Sequence, residues 1–330
     1  MVRRWKSTGM LDLSLACGRY EWTRGLWDES VSPEGIDLST LEYHNPERFT
    51  RMANNLEFDA CELSMGTYLA TRSRPERYPF TAIPVFPHRR FRHSYIYRRT
   101  DADIDGPQDL EGKRVGVVNW QTTTGIWQRG ILREQYGVDT TEVDWHRVGS
   151  EIVSIEVPNQ YSVTDLDPGG GTVPYMEELL RSGEIDAVLH PVPLQIPAAE
   201  RLFEAPIAEE RAYFEETGIF PIMHAIVLKN ELLDEHPWVV QKLYDAFEDA
   251  KLECLDRLER PQWIPLLWAD IHAERQRDLL EDPWEYGLTE SNRTVLNTLV
   301  EYAHRQGIAD RRYDLEALFA TESLDIGTFG

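Results

Sequence analysis

Strand-like and helix-like segments take turns along most of this chain, and that rhythm restricts the fold more than any other property. LDLSLAC alternates apolar and polar residues with the period of a half-buried strand, and TRGLWDE follows as a helix. GIDLSTLEY is a strand introduced by Pro33-Glu34-Gly35, and PERFTRMANNL is a helix with Pro46 near its first turn. FDACELS is a strand, and FTAIPVFP and RFRHSYIY are both extended. A second run begins at DLEGKRVGVVN. It holds a strand at 114–119, a helix at 122–135, the strand VDWHRV, a loop-rich stretch at 150–172, the helix YMEELLRSG and the strand IDAVLH. After the connector PVPLQIP, the segment GIFPIMHAIVL is extended. Pro237 then opens a long amphipathic helix to about Leu258, with Val240, Leu243, Tyr244, Phe247 and Ala250 on one face. Such a βαβα order packs as mainly parallel sheets covered by helices. Two runs with crossings near 98–106 and 191–203 predict two lobes: residues 1–98 with 203–330, and residues 99–202. Ligands in such folds sit at strand C-termini and in the cleft between lobes.

Charge excludes some functions. The net charge of the 330-residue chain is −23, which repels a polyanion, so no nucleic-acid partner is expected. Its 29 Arg against 5 Lys, together with the acid excess, suit a protein kept in solution at high salt, so a halophilic source is expected. No apolar stretch approaches the length of a membrane span. Cys17, Cys61 and Cys254 form no CxxC pair and no zinc pattern, as expected of reduced thiols. Arg3-Arg4 followed by Leu15-Ala16-Cys17 imitates a lipoprotein signal, but the intervening segment is short and carries Asp12. Residues 1–10 are therefore read as a lead-in, Met10 as an alternative start, and the protein as cytoplasmic.

The candidate chemistry is concentrated in a few places. His224 interrupts the apolar run GIFPIMHAIVL; a histidine so placed is either a hydrogen-bonded core residue or a titratable group facing a cleft. HRRFRHSYIYRR at 88–99 carries five arginines and two histidines, a basic island in an acidic chain. It is either a charged edge strand or an anion site, because an arginine fork grips carboxylates bidentately. Read as one strand, it puts Phe91, His93, Tyr95 and Tyr97 on one face and Arg92, Ser94 and Ile96 on the other. NWQTTTGIWQRG at 119–130 is a strand-to-helix turn whose free amides suit an anion, with Thr122, Thr123 and Thr124 either capping the helix or offering hydroxyls to a ligand. It lacks the glycine pattern of a phosphate loop, and Gly169-Gly170-Gly171 is not followed by Lys-Ser/Thr, so that triplet is read as a flexible loop.

ACGRYEWTRGL, PEGIDL, FDACELSMGTYL, FTAIPVFPHRRFRHSYIY, DLEGKRVGV, GIWQRGILREQYGV, GEIDAVL and GIFPIMH occur in this order. Together they resemble the 4,5-dihydroxyphthalate decarboxylase family, from about residue 11 to about 320. The resemblance implies a type II periplasmic-binding-protein-like fold, two α/β lobes with a ligand cleft, and an aromatic carboxylate as substrate. It points to His93 and His224 as catalytic acid and base and Arg92 as the carboxylate clamp. Glu62 and Ser64 are candidates for the catechol hydroxyls, with Glu62 alternatively a cap or structural acceptor. Tyr20, Asn119, Trp120, Thr122 and Thr123 complete the expected substrate site. No organic cofactor is implied; a divalent metal stays open, although no ligand spacing argues for one. The alternatives are a solute-binding protein for a small carboxylate, or another cytoplasmic enzyme of this scaffold, such as those of menaquinone biosynthesis. The pyrimidine-synthase branch lacks support, since its cysteine-rich iron motif is absent here.

Overall fold

The computed structural model describes residues 9–166, 171–260, 262, 264–280 and 282–326. Most of the expected lead-in and the triplet's Gly169 and Gly170 lie outside these residues. Eleven strands are described: β1 Leu11–Ala16, β2 Ile36–Leu41, β3 Ala60–Ser64, β4 Phe80–Arg89, β5 Ile96–Arg99, β6 Arg114–Val117, β7 Asp144–Arg147, β8 Ser162–Asp165, β9 Ala187–Leu189, β10 Ala199–Arg201 and β11 Ile222–Lys229. They form two sheets, ordered β2-β1-β3-β11-β4 and β10-β5-β9-β6-β7-β8.

β2, β1 and β3 run parallel, as expected, but β11 is antiparallel to both β3 and β4. In the second sheet β9, β6, β7 and β8 are parallel, and β5 and β10 close one edge antiparallel. The late strand β11 thus returns from the second sheet to the middle of the first. Both faces of β3 and β11 are covered: all residues of β3, and those of β11 from Ile222 to Leu228, are buried, the polar Glu62, Ser64 and His224 with them.

The expected single strand across 88–99 does not form. β4 ends at Arg89, the chain turns through a 3-10 helix at His93–Tyr95, and β5 begins at Ile96 in the other sheet. This is a crossing between sheets, so strand alternation does not govern its side chains.

One continuous core joins the first sheet to the second, through residues such as Ile126, Trp127, Val115 and Val117. The joint is tightest where the helices Met65–Thr71 and Thr123–Tyr136 begin. A Cβ on Gly66 would stand 1.9 Å from the Gln121 carbonyl oxygen. Thr123 Oγ1 accepts from the Gly66 amide at 2.9 Å, and the Trp127 indole donates to the Ile222 carbonyl.

Candidate active site

Strand pairing brings the chemistry together. β1 and β3 are in register at Ala16 and Cys61, so Cys17 and Glu62 leave their strands side by side. β11 pairs His224 with Ser64 on one side and with His88 on the other. Side chains of directly paired residues share a face, and diagonal neighbours reach one another. Glu62, Ser64, His224 and His88 therefore converge. Register shifts flank the His224–His88 pair, local irregularities of the kind that re-aim side chains.

Glu62 is the hub. Its Oε2 accepts from Arg48 Nη2 at 2.8 Å, from the Gly18 amide at 2.6 Å and from the Cys17 thiol at 3.5 Å. Its Oε1 accepts from the Tyr20 hydroxyl at 2.7 Å and stands 2.5 Å from His224 Nδ1. Arg48, from the helix Glu47–Asn55, is itself tied to the Glu62 and Tyr43 carbonyls. A buried ion pair persists only when such further hydrogen bonds offset desolvation. Burial alone would push the Glu62 carboxyl up; the Arg48 charge and then the His224 bond outweigh it and hold the group well below the usual carboxylate range.

For His224 the balance runs the other way. Burial lowers its pKa more than Glu62 raises it, so the ring is neutral. With an ionised acceptor on Nδ1, the proton sits there, and Nε2 carries a lone pair. The ring of His88 lies 4.7 Å away at 68°, and burial above all keeps it neutral too.

Arg92 stands on the seam between the sheets. Its Nε points at Met223 Sδ, beside His224, and its Nη1 donates to the Pro191 carbonyl of the second sheet's unit at 3.3 Å. The guanidinium is buried and, among the described residues, has no carboxylate within ion-pair distance; burial pulls its pKa down to about 9. Burying a cation without a counter-ion is costly, and the arginine fork is suited to a carboxylate.

On the far side Ser64 Oγ and Thr123 Oγ1 are 2.8 Å apart, and the Thr122 hydroxyl bonds Asn119 Oδ1. A narrow crevice, too tight to admit a water molecule, lies there, lined by Asn119, Thr122, Thr124, Gly125, Leu189 and Pro191 among others. Among the described residues no three His, Cys, Asp or Glu side chains are grouped to hold a metal ion, and no helix is long and apolar enough to cross a membrane.

Comparison with known proteins places this geometry. The chain is 34% identical to the 4,5-dihydroxyphthalate decarboxylase of Comamonas testosteroni over 96% of its own length and 98% of the relative's. The chain belongs to the 4,5-dihydroxyphthalate decarboxylase family. Residues 32–157 also match the family model described as NMT1/THI5 like. In fold the chain is similar to the periplasmic aliphatic sulphonate binding protein SsuA from Escherichia coli, at TM-score 0.56 and 13% identity over 95% of this chain and 92% of that one. It is equally similar to the desulfurization enzyme DSZB, at TM-score 0.54 and 16% identity over 96% and 98% of the two chains. The two-lobed periplasmic-binding-protein fold expected of the family is the fold observed.

Within this family member, the expected site residues divide into two groups. Glu62, His224 and Tyr20 form one hydrogen-bonded cluster, Ser64 and Thr123 meet across the joint, and Arg92 adjoins His224 through Met223. Three other expectations need correction. His93 is fully buried among Tyr136, Phe203 and Tyr213, and neither ring nitrogen has a partner. The crossing at 90–95 sets it on the 3-10 helix, where its ring meets Tyr136, Phe203 and Tyr213, whereas the His224 ring meets Phe49 and His88. Trp120 does not present a stacking face: it is fully buried, its indole bonds the Gln306 carbonyl, and the Arg129 guanidinium covers its ring at 3.9 Å. The Trp120 and Gln121 amides, expected to be free for an anion, are taken by the carboxylate of Glu151. Glu62 itself is enclosed by its partners and orients His224.

Sequence reasoning missed Arg48, Cys17, Gly18 and His88. His88 opens the very stretch that drew attention to His93. The available signal was its place on β4, the strand that pairs with the residues around His224.

Proposed function

We propose that this chain is a carboxy-lyase that converts 4,5-dihydroxyphthalate, or a close analogue, to protocatechuate and CO₂. The reaction takes place in a cleft between a lobe of residues 1–98 with 203–330 and a lobe of residues 99–202. The observation that carries the reading is a buried, unpaired guanidinium, Arg92, next to a neutral imidazole oriented by an ionised carboxylate. That pair of features suits an aromatic dicarboxylate which must lose one proton and gain another.

Arg92 holds the carboxylate that stays. His224 Nε2 takes the proton of the hydroxyl para to the carboxylate that leaves. The phenoxide pushes an electron pair to the carbon bearing that carboxylate, and this carbon takes a proton from His88. The bond to the carboxylate then breaks. Its electrons restore the ring and the phenoxide, which recovers its proton from His224. The net uptake is one proton, supplied to His88 from solvent. His88 is neutral in the empty site; a dianionic substrate beside it raises its pKa and loads it. Glu62 and Arg48 fix the His224 tautomer throughout. All three cysteines are free thiols, which supports a reducing, cytoplasmic setting.

The test is incubation of the purified protein with 4,5-dihydroxyphthalate in buffers of low and molar KCl, following protocatechuate and CO₂. Product should form one-to-one with substrate lost. Tight binding without product would replace this reading with that of a solute-binding protein.

A further inference from the structure

We propose that Trp284 is a positioning residue for the reaction above: acting through Trp22, it holds the Tyr20 hydroxyl on Glu62 and so sets how strongly Glu62 engages His224. This rests on the catalytic reading, and it joins a C-terminal segment to the site.

Tyr20 is half-buried on the stretch after β1, and ordering its side chain costs conformational entropy that the Glu62 bond alone must offset. Its ring is supported by Trp22, with centroids 4.9 Å apart and planes 1° apart. Trp22 is itself fixed at two points. Its indole donates to the Pro87 carbonyl at 2.9 Å, and its ring stacks on Trp284 with centroids 4.0 Å apart. Trp284 lies on a segment anchored from two sides. Lys251, only 1% exposed on the helix Val239–Leu258, donates to Asp282 Oδ2 at 2.6 Å, and Asp282 Oδ1 accepts from the Trp284 amide at 2.9 Å. Arg89 of β4 donates to the Glu285 carbonyl at 2.7 Å. An unbroken chain of contacts thus runs from Lys251 to the Tyr20 hydroxyl. That hydroxyl meets Glu62 Oε1 at 2.7 Å, the same oxygen that faces His224 Nδ1.

Two donors on one carboxylate oxygen share its charge. Without the Tyr20 hydroxyl, Oε1 is left to His224 alone and favours the protonated imidazole more strongly, so the His224 pKa rises. The charged and titratable groups about His224 are Glu62 from β3, Arg48 from the helix Glu47–Asn55, His88 from β4 and Arg92 from the crossing, with Cys17 and Tyr20 beyond Glu62. Trp284 carries no charge, so replacing it alters none of them directly; the stack is its route to His224.

Trp284→Ala and Tyr20→Phe are compared by the pH dependence of kcat/KM for 4,5-dihydroxyphthalate. His224 acts as a base only when neutral, so a raised pKa moves the acid limb to higher pH in both variants. At a fixed pH on that limb, kcat/KM should fall roughly threefold to tenfold, a fraction of what one hydrogen bond to a charged group contributes. Trp284→Phe keeps a ring on Trp22 and should restore the parent limb. The double variant should shift no further than Tyr20→Phe alone, because both changes act on one hydroxyl. A limb that stays in place in folded Trp284→Ala, or that shifts again in the double variant, overturns the proposal; a loss of thermal stability alone is what a merely structural tryptophan would give. If Trp284→Ala does not fold, Trp284→Leu takes its place, with the bulk kept and the π face lost. The same point is read without substrate from the proton NMR signal of His224 Nδ1–H, assigned by its absence in His224→Gln. The signal should move downfield in Trp284→Ala as it does in Tyr20→Phe, and an unmoved signal overturns the proposal. If the parent protein fails to turn over 4,5-dihydroxyphthalate, the catalytic reading falls, while this signal still decides whether Trp284 acts on His224.

Discussion

Two of the buried histidines of this protein, His224 and His93, are buried differently. His224 has a carboxylate at 2.5 Å, a guanidinium behind that carboxylate and a second imidazole alongside. His93 has three aromatic rings and no hydrogen bond at either nitrogen. Burial lowers the pKa of both. Only His224 has a partner that fixes its tautomer and leaves one nitrogen oriented for proton transfer. Burial alone therefore does not separate the two; the ionised partner on Nδ1 and the buried Arg92 nearby do, and the role proposed for His224 rests on them.

The largest expected effect tests that contrast directly. His224→Gln should lower kcat about 10²–10⁴-fold, the usual worth of a positioned acid–base group, with a smaller change in KM. His93→Phe should leave kcat within a few-fold of the parent. Steady-state kinetics of the two variants side by side break the comparison if they fall together.

Next comes acid stability. Burial pushes the His93 pKa down to about 4, against about 6.5 in an unfolded chain. Between those values the unfolded chain binds a proton that the native one does not, so stability rises with pH across the window. The contribution, roughly 3 kcal/mol, is fully present above the unfolded value and gone once pH has fallen through the folded one. Denaturant titrations over this window should show a shallower slope for His93→Phe than for the parent. Equal slopes would mean that the ring is accessible or that an acceptor receives its proton.

Salt is the weakest probe, because it reaches neither histidine. The charge of −23 lies mostly on the surface, where screening is effective, whereas the Arg48–Glu62 pair is buried. Raising KCl from low to molar concentration should raise Tm by a few degrees and leave the pH profile of kcat in place. A flat Tm would remove the halophilic inference.

Much of the architecture was legible because periodicity is local. β11 announces itself as an apolar run broken only by His224, and the turn from β6 into the helix Thr123–Tyr136 is written in NWQTTTG. The site was legible in its types and less so in its members. An arginine island and a histidine in an apolar strand were both visible, and Arg92, Glu62 and Tyr20 do lie near His224. His93 was named and His88 was not, for a definite reason. One strand was assumed through 88–99, whereas the chain changes sheets there, and a change of sheet depends on what β5 pairs with about ninety residues later. Arg48 was hidden for a related reason: it sits on a helix that reads as ordinary and amphipathic, and only the fold places it behind Glu62. Trp120 was misjudged because nothing local says that Arg129 and Gln306 will close over it.

The contact between Gly66 and the Gln121 carbonyl has a consequence for anyone building variant libraries on this chain. No side chain fits there, since even a methyl group would stand 1.9 Å from an oxygen. Position 66 will therefore return glycine from any selection for folded protein, whatever reaction the library is asked to perform. It lies two residues from Ser64 and four from Glu62, so such invariance would pass for chemistry. A parallel screen for soluble expression separates the two, because residues retained for fit survive it unchanged while residues retained for catalysis drift.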